Sequence, residues 1–254
     1  MQDIKLWFEK ARVPVKIEKE PLNSVNLSVN NQDIFQMNIS TRGKKHKREY
    51  FRIFHGHEGN DVRVVNADSN NQQVILLVNE PEREYTVRRW DREENEWVYE
   101  KQKAPGYLRK YLCGYDETHL FIAELPNDLG PINKVLDAHK ILKPKLVAKK
   151  EKKIGKIKRQ GEWFFIPVNS VEQASINKIT SLYWKNERIG PRGGNPHMAE
   201  KLFEIDEEIF VSGKITHIEH KTLRLNGWFK AVKNMEFRGE SPASQIYNGV
   251  KWID

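Results

Sequence analysis

The chain has 254 residues, of which 38% are hydrophobic and 31% charged, and 43 Lys and Arg face 35 Asp and Glu for a formal net charge of +8. This composition excludes an intrinsically disordered chain, and the length allows one large or two small cores. The single cysteine, Cys113, excludes an intrachain disulfide and a thiolate zinc cluster within the chain.

The positive charge favours phosphate-bearing partners such as nucleic acid, because it is clustered along the sequence. The first twenty residues lack an apolar signal core, and no apolar run reaches the length of a membrane span. We therefore expect a cytoplasmic protein without a membrane partner.

Alternating polar and apolar residues predict strands within 26–39 and 49–65. The tract between them, 41–48, is strongly basic and predicts a hairpin loop whose two ends are fixed by these strands. We expect this loop to contact nucleic-acid phosphates. Its candidate residues are Arg42, Lys44, Lys45, Lys47 and Arg48.

A pair of histidines, His55 and His57, follows this second strand. The two side chains share a face if the strand continues through Gly56, and they could then bind a metal. Gly59 and Asn60 favour a turn instead, and this is the simpler interpretation.

The apolar run 73–79 predicts a central strand that is buried on both faces, and a further strand is expected at 84–89. Trp90 and Trp97 lie near several arginines and could stack on nucleic-acid bases if they are exposed, although buried tryptophans are the more usual outcome in a β domain.

Residues 108–126 read as a strand, a turn at 114–117 and a second strand. Cys113 lies within the first of these strands, so we interpret it as a buried structural thiol. Apolar residues then recur at helical spacing from Ile132 to Leu142, and they predict a helix that closes the first domain.

The segment 143–160 is rich in lysine and is interpreted as a connector between domains 1–142 and 161–254. It is also a second candidate for phosphate contacts. The residues concerned are Lys149, Lys150, Lys152, Lys153, Lys156, Lys158 and Arg159.

The second domain is expected to be mostly β, with a strand at 162–168 and a tight hairpin turn at Asn226-Gly227. A glycine-rich loop at 190–194 contains Arg192 and could hold an anion through its backbone amides. The predicted fold class is therefore α+β and mostly β, with two small β-rich domains, the first of which ends in one helix.

Several stretches of the sequence carry a resemblance. They are LCGYDETHLFIAELP in the first half, and KRQGEWFFIPV, GGNPH, THIEHKTLRL and GWFKAVKNMEF in the second. Together they resemble an uncharacterised family of bacterial and phage proteins in which Arg-Gln-Gly-acid opens a domain and a His-x-x-His segment leads into a strand. Where that family has His-x-His, this chain has Asn195-Pro196-His197. The resemblance implies a domain division and carries no information about activity.

The sharpest candidate site combines His197 with His217, Glu219 and His220, because imidazoles and a carboxylate can exchange protons or hold a divalent metal. On an extended strand His217 and His220 would point to opposite faces, so they converge only if a turn or bulge lies between them. We favour a structural role for these residues at a strand start. The sequence otherwise predicts no cofactor.

We expect a nucleic-acid-binding protein that prefers RNA or structured single strands to duplex DNA, because no major-groove helix motif is recognisable. The alternative is a histidine-based or metal-dependent nuclease or phosphodiesterase that uses the four site residues. A second alternative is an assembly protein that binds acidic protein chains. The sequence leaves open whether the chain is an enzyme.

Overall fold

The computed structural model describes residues 3–22, 33–43, 48–117, 119–126, 131–154, 156–179, 183–190, 195–235 and 249–250. These residues form two compact units. The first holds 3–115, 120–138 and 249–250, and the second holds 116–119 and 139–235. The described residues are mostly β and form four separate sheets, so the predicted β-rich α+β class is confirmed. None of the described helices is long and apolar enough to span a membrane.

The first unit begins with helix α1 (Ile4–Lys10), whose N-cap residue Asp3 accepts a hydrogen bond from the Leu6 amide at 3.1 Å. Its strands are β1 (Val15–Glu18), β2 (Gln36–Arg42), β3 (Arg48–Phe54), β4 (Asp61–Asp68), β5 (Gln73–Glu80), β6 (Arg83–Asp91), β7 (Glu96–Ala104), β8 (Tyr107–Asp116) and β9 (His119–Leu125). Helix α2 (Val135–Leu142) follows, and a short strand, β16 (Gly249–Val250), returns from the end of the chain.

These strands form two four-stranded sheets, in the orders β1-β3-β2-β16 and β4-β5-β8-β9, and a separate β6–β7 ribbon. Strands β2 and β3 pair antiparallel up to Arg42 and Arg48, which confirms the predicted basic hairpin; residues 44–47 lie outside the described residues. Strand β5 is central and almost wholly buried, as predicted. Helix α2 begins three residues later than the apolar periodicity suggested, at Val135.

The second unit contains helices α3 (Lys145–Ile154) and α4 (Ser170–Ile179). Its strands are β10 (Lys158–Gln160), β11 (Trp163–Pro167), β12 (Trp184–Arg188), β13 (Met198–Ile205), β14 (Glu208–Thr216) and β15 (Leu223–Lys233). They form one sheet in the order β10-β11-β15-β14-β13-β12. Apolar side chains from β11, β13, β14 and β15 share one buried cluster, so the inner face of this sheet is the core of the unit.

The lysine-rich segment 143–160 differs from the solvated connector that its composition suggested, because it contains α3 and β10. Val147 of α3 is fully buried and packs against Phe164 and Ile166. Val147 is the one fully buried side chain of this lysine-rich helix, and the long lysine side chains can keep their charges in water.

The predicted turn at Asn226-Gly227 is wrong. Strand β15 continues through these residues, and Gly227 has φ +96°. Ser212 pairs with Trp228 while Gly213 pairs with Leu225, so Asn226-Gly227 form a bulge opposite β14. The positive φ that the sequence signalled is present, but it kinks a strand that must stay continuous to pair with both β11 and β14.

Candidate functional site

Three histidines meet at one end of the second unit's sheet. His197 immediately precedes β13 and His217 immediately follows β14. Because these strands are antiparallel and Met198 pairs with Thr216, the two histidines occupy neighbouring positions just beyond the last pair of the ladder. Adjacency in the fold therefore follows from the register, although twenty residues separate them in the chain.

The third member, His220, reaches the same place because the chain bends after β14 instead of continuing as a strand. The ring centroids of His197 and His217 are 4.3 Å apart, those of His217 and His220 are 4.8 Å apart, and those of His197 and His220 are 5.4 Å apart. One ring nitrogen from each residue lies within 4.8 Å of the others. The sequence predicted that His217 and His220 converge only if a turn or bulge lies between them, and the structure has a bend there.

The turn between β10 and β11 packs against this group, which we call the three-histidine cluster. Gly161 has φ +55°, and a Cβ atom there would lie 2.9 Å from Nε2 of His220 and 3.2 Å from Nε2 of His197. Both distances are shorter than ordinary van der Waals contact. Glycine at this position therefore leaves the space that the two imidazoles fill.

The residues on either side of Gly161 also support the cluster. The buried Gln160 side chain donates a 2.6 Å hydrogen bond from Nε2 to the carbonyl of Lys221, and so ties down the bend that carries His220. Oε2 of Glu162 lies 3.8 Å from Nδ1 of His197. A carboxylate near Nδ1 favours the tautomer that leaves Nε2 as a lone-pair donor, as outer-shell carboxylates do at metal sites.

The hydrogen bonds of His217 assign its tautomer. Nδ1 accepts from the amide of Glu219 at 3.2 Å, and Nε2 lies 2.9 Å from the carbonyl oxygen of Asn195. A carbonyl can only accept, so Nε2 carries the proton and Nδ1 carries the lone pair. A backbone carbonyl is a frequent partner for the second nitrogen of a metal-ligating histidine. The Nδ1 lone pair accepts from the Glu219 amide, so a metal ion bound there would have to displace this hydrogen bond.

His220 has a depressed basicity. Burial lowers the pKa of its imidazole, and the neighbouring His217 lowers it further. Its Nδ1 atom is buried and has no hydrogen-bond partner among the described residues. Neutral imidazole is the form that binds metals, so the surroundings keep His220 in the ligand state at neutral pH.

The three imidazole nitrogens of the cluster favour zinc or a similar transition-metal ion over Mg²⁺ and Ca²⁺, which prefer oxygen ligands. Zinc bound tetrahedrally at about 2.0–2.1 Å would hold its imidazole nitrogens about 3.3 Å apart, so the ring nitrogens need to approach by at most about 1.5 Å. Rotation of side chains covers such a distance. Three neutral imidazoles leave a fourth position for water or an anion, and the complex keeps the full charge of the ion.

Other predicted residues contribute less or lie elsewhere. Glu219 is half-buried, and its backbone amide is the group that touches the cluster. Arg192 and the rest of 191–194 lie outside the described residues. His57 accepts from the Gly59 amide through its own Nδ1 at 2.9 Å, which supports the turn interpretation of that segment. Cys113 is fully buried with a raised pKa, as expected of a structural thiol.

The basic candidates that the structure describes are spread over several elements. Arg42 and Arg48 are exposed at the base of the first unit's hairpin, whereas Lys44, Lys45 and Lys47 lie outside the described residues. In the second unit Lys149, Lys150, Lys152 and Lys153 project from α3, and Lys156 is exposed just after it. Lys158 donates to the carbonyl of Arg224 at 2.5 Å, and Arg159 to that of Gly161 at 2.8 Å.

Sequence reasoning missed the supporting residues Gln160, Gly161, Glu162 and Asn195. These residues belong to the stretches that carry the family resemblance. Three of those stretches, 158–168, 193–197 and 216–225, contribute side chains or backbone atoms to the three-histidine cluster. Comparison of the chain with protein-family models, curated proteins and solved structures found no match.

Proposed function

We propose that the chain is a metal-dependent hydrolase of phosphodiester bonds, with His197, His217 and His220 as the ligands of a divalent ion. The observation that carries this proposal is the convergence of three imidazoles whose ring nitrogens lie within 4.8 Å of one another. Protonated imidazoles at these distances would repel one another, so the close approach of the three rings calls for an explanation such as a shared metal ion.

The chemistry follows from the ligand set. A divalent ion held by three neutral imidazoles keeps a charge of +2, so it attracts anionic substrates and lowers the pKa of bound water. Lys221 follows His220 directly in the chain, and Arg159 lies two residues before Gly161, so cationic side chains flank the cluster in sequence. A phosphodiester supplies the negative oxygens that such a centre can bind and polarise. Glu219, the residue before His220, is the candidate for proton transfer.

The proposal is tested first by metal binding. Isothermal titration of the metal-stripped protein with Zn²⁺ should report one site per chain, and visible absorption on addition of Co²⁺ should show that this site is tetrahedral. His217→Ala and His220→Ala should each abolish it. His57→Ala is the matched control, because it removes a histidine that accepts a hydrogen bond in a loop of the other unit.

Turnover is tested with single-stranded RNA, single-stranded DNA, duplex DNA and a chromogenic phosphodiester, with Zn²⁺ or Mn²⁺ and with a chelator. Cleavage should require the metal, and loss of a ligand should cost more than the roughly 10–100-fold typical of an outer-shell partner. Metal-independent cleavage that survives His217→Ala would contradict the proposal.

A second candidate is nucleic-acid binding without turnover, with RNA or structured single strands as the favoured ligand. The lysines exposed on α3 support it, because one helix presents them together and only Glu151 opposes them there. Binding that weakens steeply with salt and is unchanged by His217→Ala, together with no cleavage, would favour this candidate. An assembly protein for acidic chains is favoured instead if nucleic acid fails to bind at low salt.

A further inference from the structure

The β6–β7 ribbon of the first unit carries three exposed aromatic rings on one face. Trp90 pairs directly with Trp97, and their rings meet edge to face with centroids 5.2 Å apart. Tyr99 lies two residues beyond Trp97 on the same strand and therefore on the same face. The three residues are 41%, 48% and 70% exposed. Aromatic residues are mostly recruited to cores, so an exposed row of them marks a binding surface.

The rest of this face indicates the chemistry of the partner. Its other described members are Glu84, Thr86, Lys101 and Lys103, which are all exposed. Aliphatic side chains are absent among the described residues of this face, whereas Val98 lies on the opposite, less exposed face. Lys103 is ion-paired with Glu82 and Glu84, at 3.5 Å and 3.8 Å, so Lys101 is the cation of this face that we assign to a ligand. Flat rings beside a lysine suit a ligand with flat faces and negative charge.

We propose that this face of the ribbon, which we call the aromatic face, binds single-stranded nucleic acid by stacking unpaired bases on Trp97, Tyr99 and Trp90, with Lys101 meeting the phosphates. Alternate residues of a strand are about 7 Å apart, so successive bases can each contact a separate ring. In a duplex the base faces are already stacked, and only edges and phosphates remain accessible. This inference is independent of the proposed function, because the ribbon belongs to the first unit and needs no metal.

The test is fluorescence anisotropy of labelled 12-residue oligo(U) and oligo(dT), with a duplex of the same length, in the presence of a chelator so that no strand is cut. Trp97→Ala should weaken binding of the single strands by roughly 5- to 150-fold, the range reported by alanine substitution at stacking positions. Trp97→Phe should retain most of the affinity, because a smaller ring still stacks. Trp184→Ala is the matched control, since Trp184 is 52% exposed on β12 of the other unit, and it should leave affinity within about twofold.

Tyr99→Ala guards against a folding artefact, because a side chain that is 70% exposed contributes little to the core. It should weaken binding in the same direction as Trp97→Ala. Single-strand affinity unchanged in both variants would overturn the inference, and so would equal losses for single strands and duplex, or displacement of the oligonucleotide by polyglutamate at matched charge. If the inference fails in this way, metal-dependent cleavage can still be present, so the two proposals fail separately.

Discussion

Replacement of Gly161 by alanine isolates the space that the three-histidine cluster needs. The new methyl group would lie 2.9 Å from Nε2 of His220 and 3.1 Å from Cε1 of His197, so the rings or the turn that carries residue 161 must shift. Such a shift disturbs the ring positions from which the nitrogens converge on an ion. We therefore expect Gly161→Ala to weaken Zn²⁺ binding by at least about tenfold, the lower end of the effect of a displaced outer-shell group.

Gly227→Ala is the matched control for backbone strain. Gly227 also has a positive φ, +96°, but a Cβ atom there would meet nothing closer than a Gln173 oxygen at 3.9 Å. The left-handed conformation should cost each variant roughly 1–2 kcal/mol of unfolding free energy, and Gly161→Ala should lose more because its methyl group also crowds the two rings. Urea unfolding measures this loss, and competition with a chelating dye measures metal affinity.

Both variants should thus carry the conformational cost, but only Gly161→Ala should also lose metal affinity. If Gly161→Ala binds Zn²⁺ as tightly as Gly227→Ala while both remain folded, the crowding argument is refuted. Equal weakening in both would also refute it, because the loss would then come from general destabilisation of the second unit.

Three further predictions concern single side chains. Glu162→Gln should weaken Zn²⁺ binding by about tenfold without unfolding the protein, because the Glu162 carboxylate lies 3.8 Å from His197 and orients its ring. Competition with a chelator measures the affinity, and an unchanged value would count against an orienting role. Arg109→Met should lower the free energy of unfolding by roughly 3–5 kcal/mol, because it leaves the buried carboxylate of Glu124, 3.9 Å away, without its cation. Urea unfolding measures this loss, and a value below about 1 kcal/mol would contradict the prediction. Burial lowers the pKa of His55, so the unfolded state takes up its proton more readily and the free energy of unfolding falls as the pH drops below about 6.5. Urea unfolding at pH 5.5 and 7.5 should show a smaller fall for His55→Gln than for the unaltered protein. An equal fall in both would show that His55 is not responsible.

Local patterns in the sequence predicted the elements of the first unit better than those of the second. The run 73–79 is apolar at nearly every position, and only a central strand buries both faces in this way. The basic tract 41–48 was bounded by alternating strands, so its hairpin followed from patterns on either side. In both cases the information was contained in neighbouring residues.

Asn226-Gly227 and the segment 143–160 were misleading because tertiary pairing decides them. A positive φ at Gly227 is compatible with a turn or a bulge, and the need of β15 for two partners selects the bulge. Likewise, the sequence of α3 offers little to bury, but the surface formed by Phe164 and Ile166 accepts Val147. Propensity is a weak guide where a neighbour elsewhere in the chain completes the element.

The candidate site combined both situations. His197 and His217 were identified as a possible pair from residue type alone, but their contact depends on the register of β13 and β14, which no local pattern encodes. The supporting residues Gln160, Gly161 and Glu162 act through space and carry no metal-ligand signature of their own. The only sign of them in the sequence was that they lie in the same family-like stretches as the histidines.

The cluster is asymmetric, and the asymmetry bears on how it could work. His197 and His217 are held at the end of a paired ladder, so their backbones are fixed by the sheet. His220 sits on a bend that is held by hydrogen bonds from Gln160 to the Lys221 carbonyl and from the Glu219 amide to the His217 ring. The adjustment of about 1.5 Å that a tetrahedral ion would require is therefore easiest for the side chain of His220, while His217 would have to give up a hydrogen bond. If the proposed metal is bound, two ligands on the sheet and one on the bend would let its coordination change without disturbing the sheet that carries the cluster.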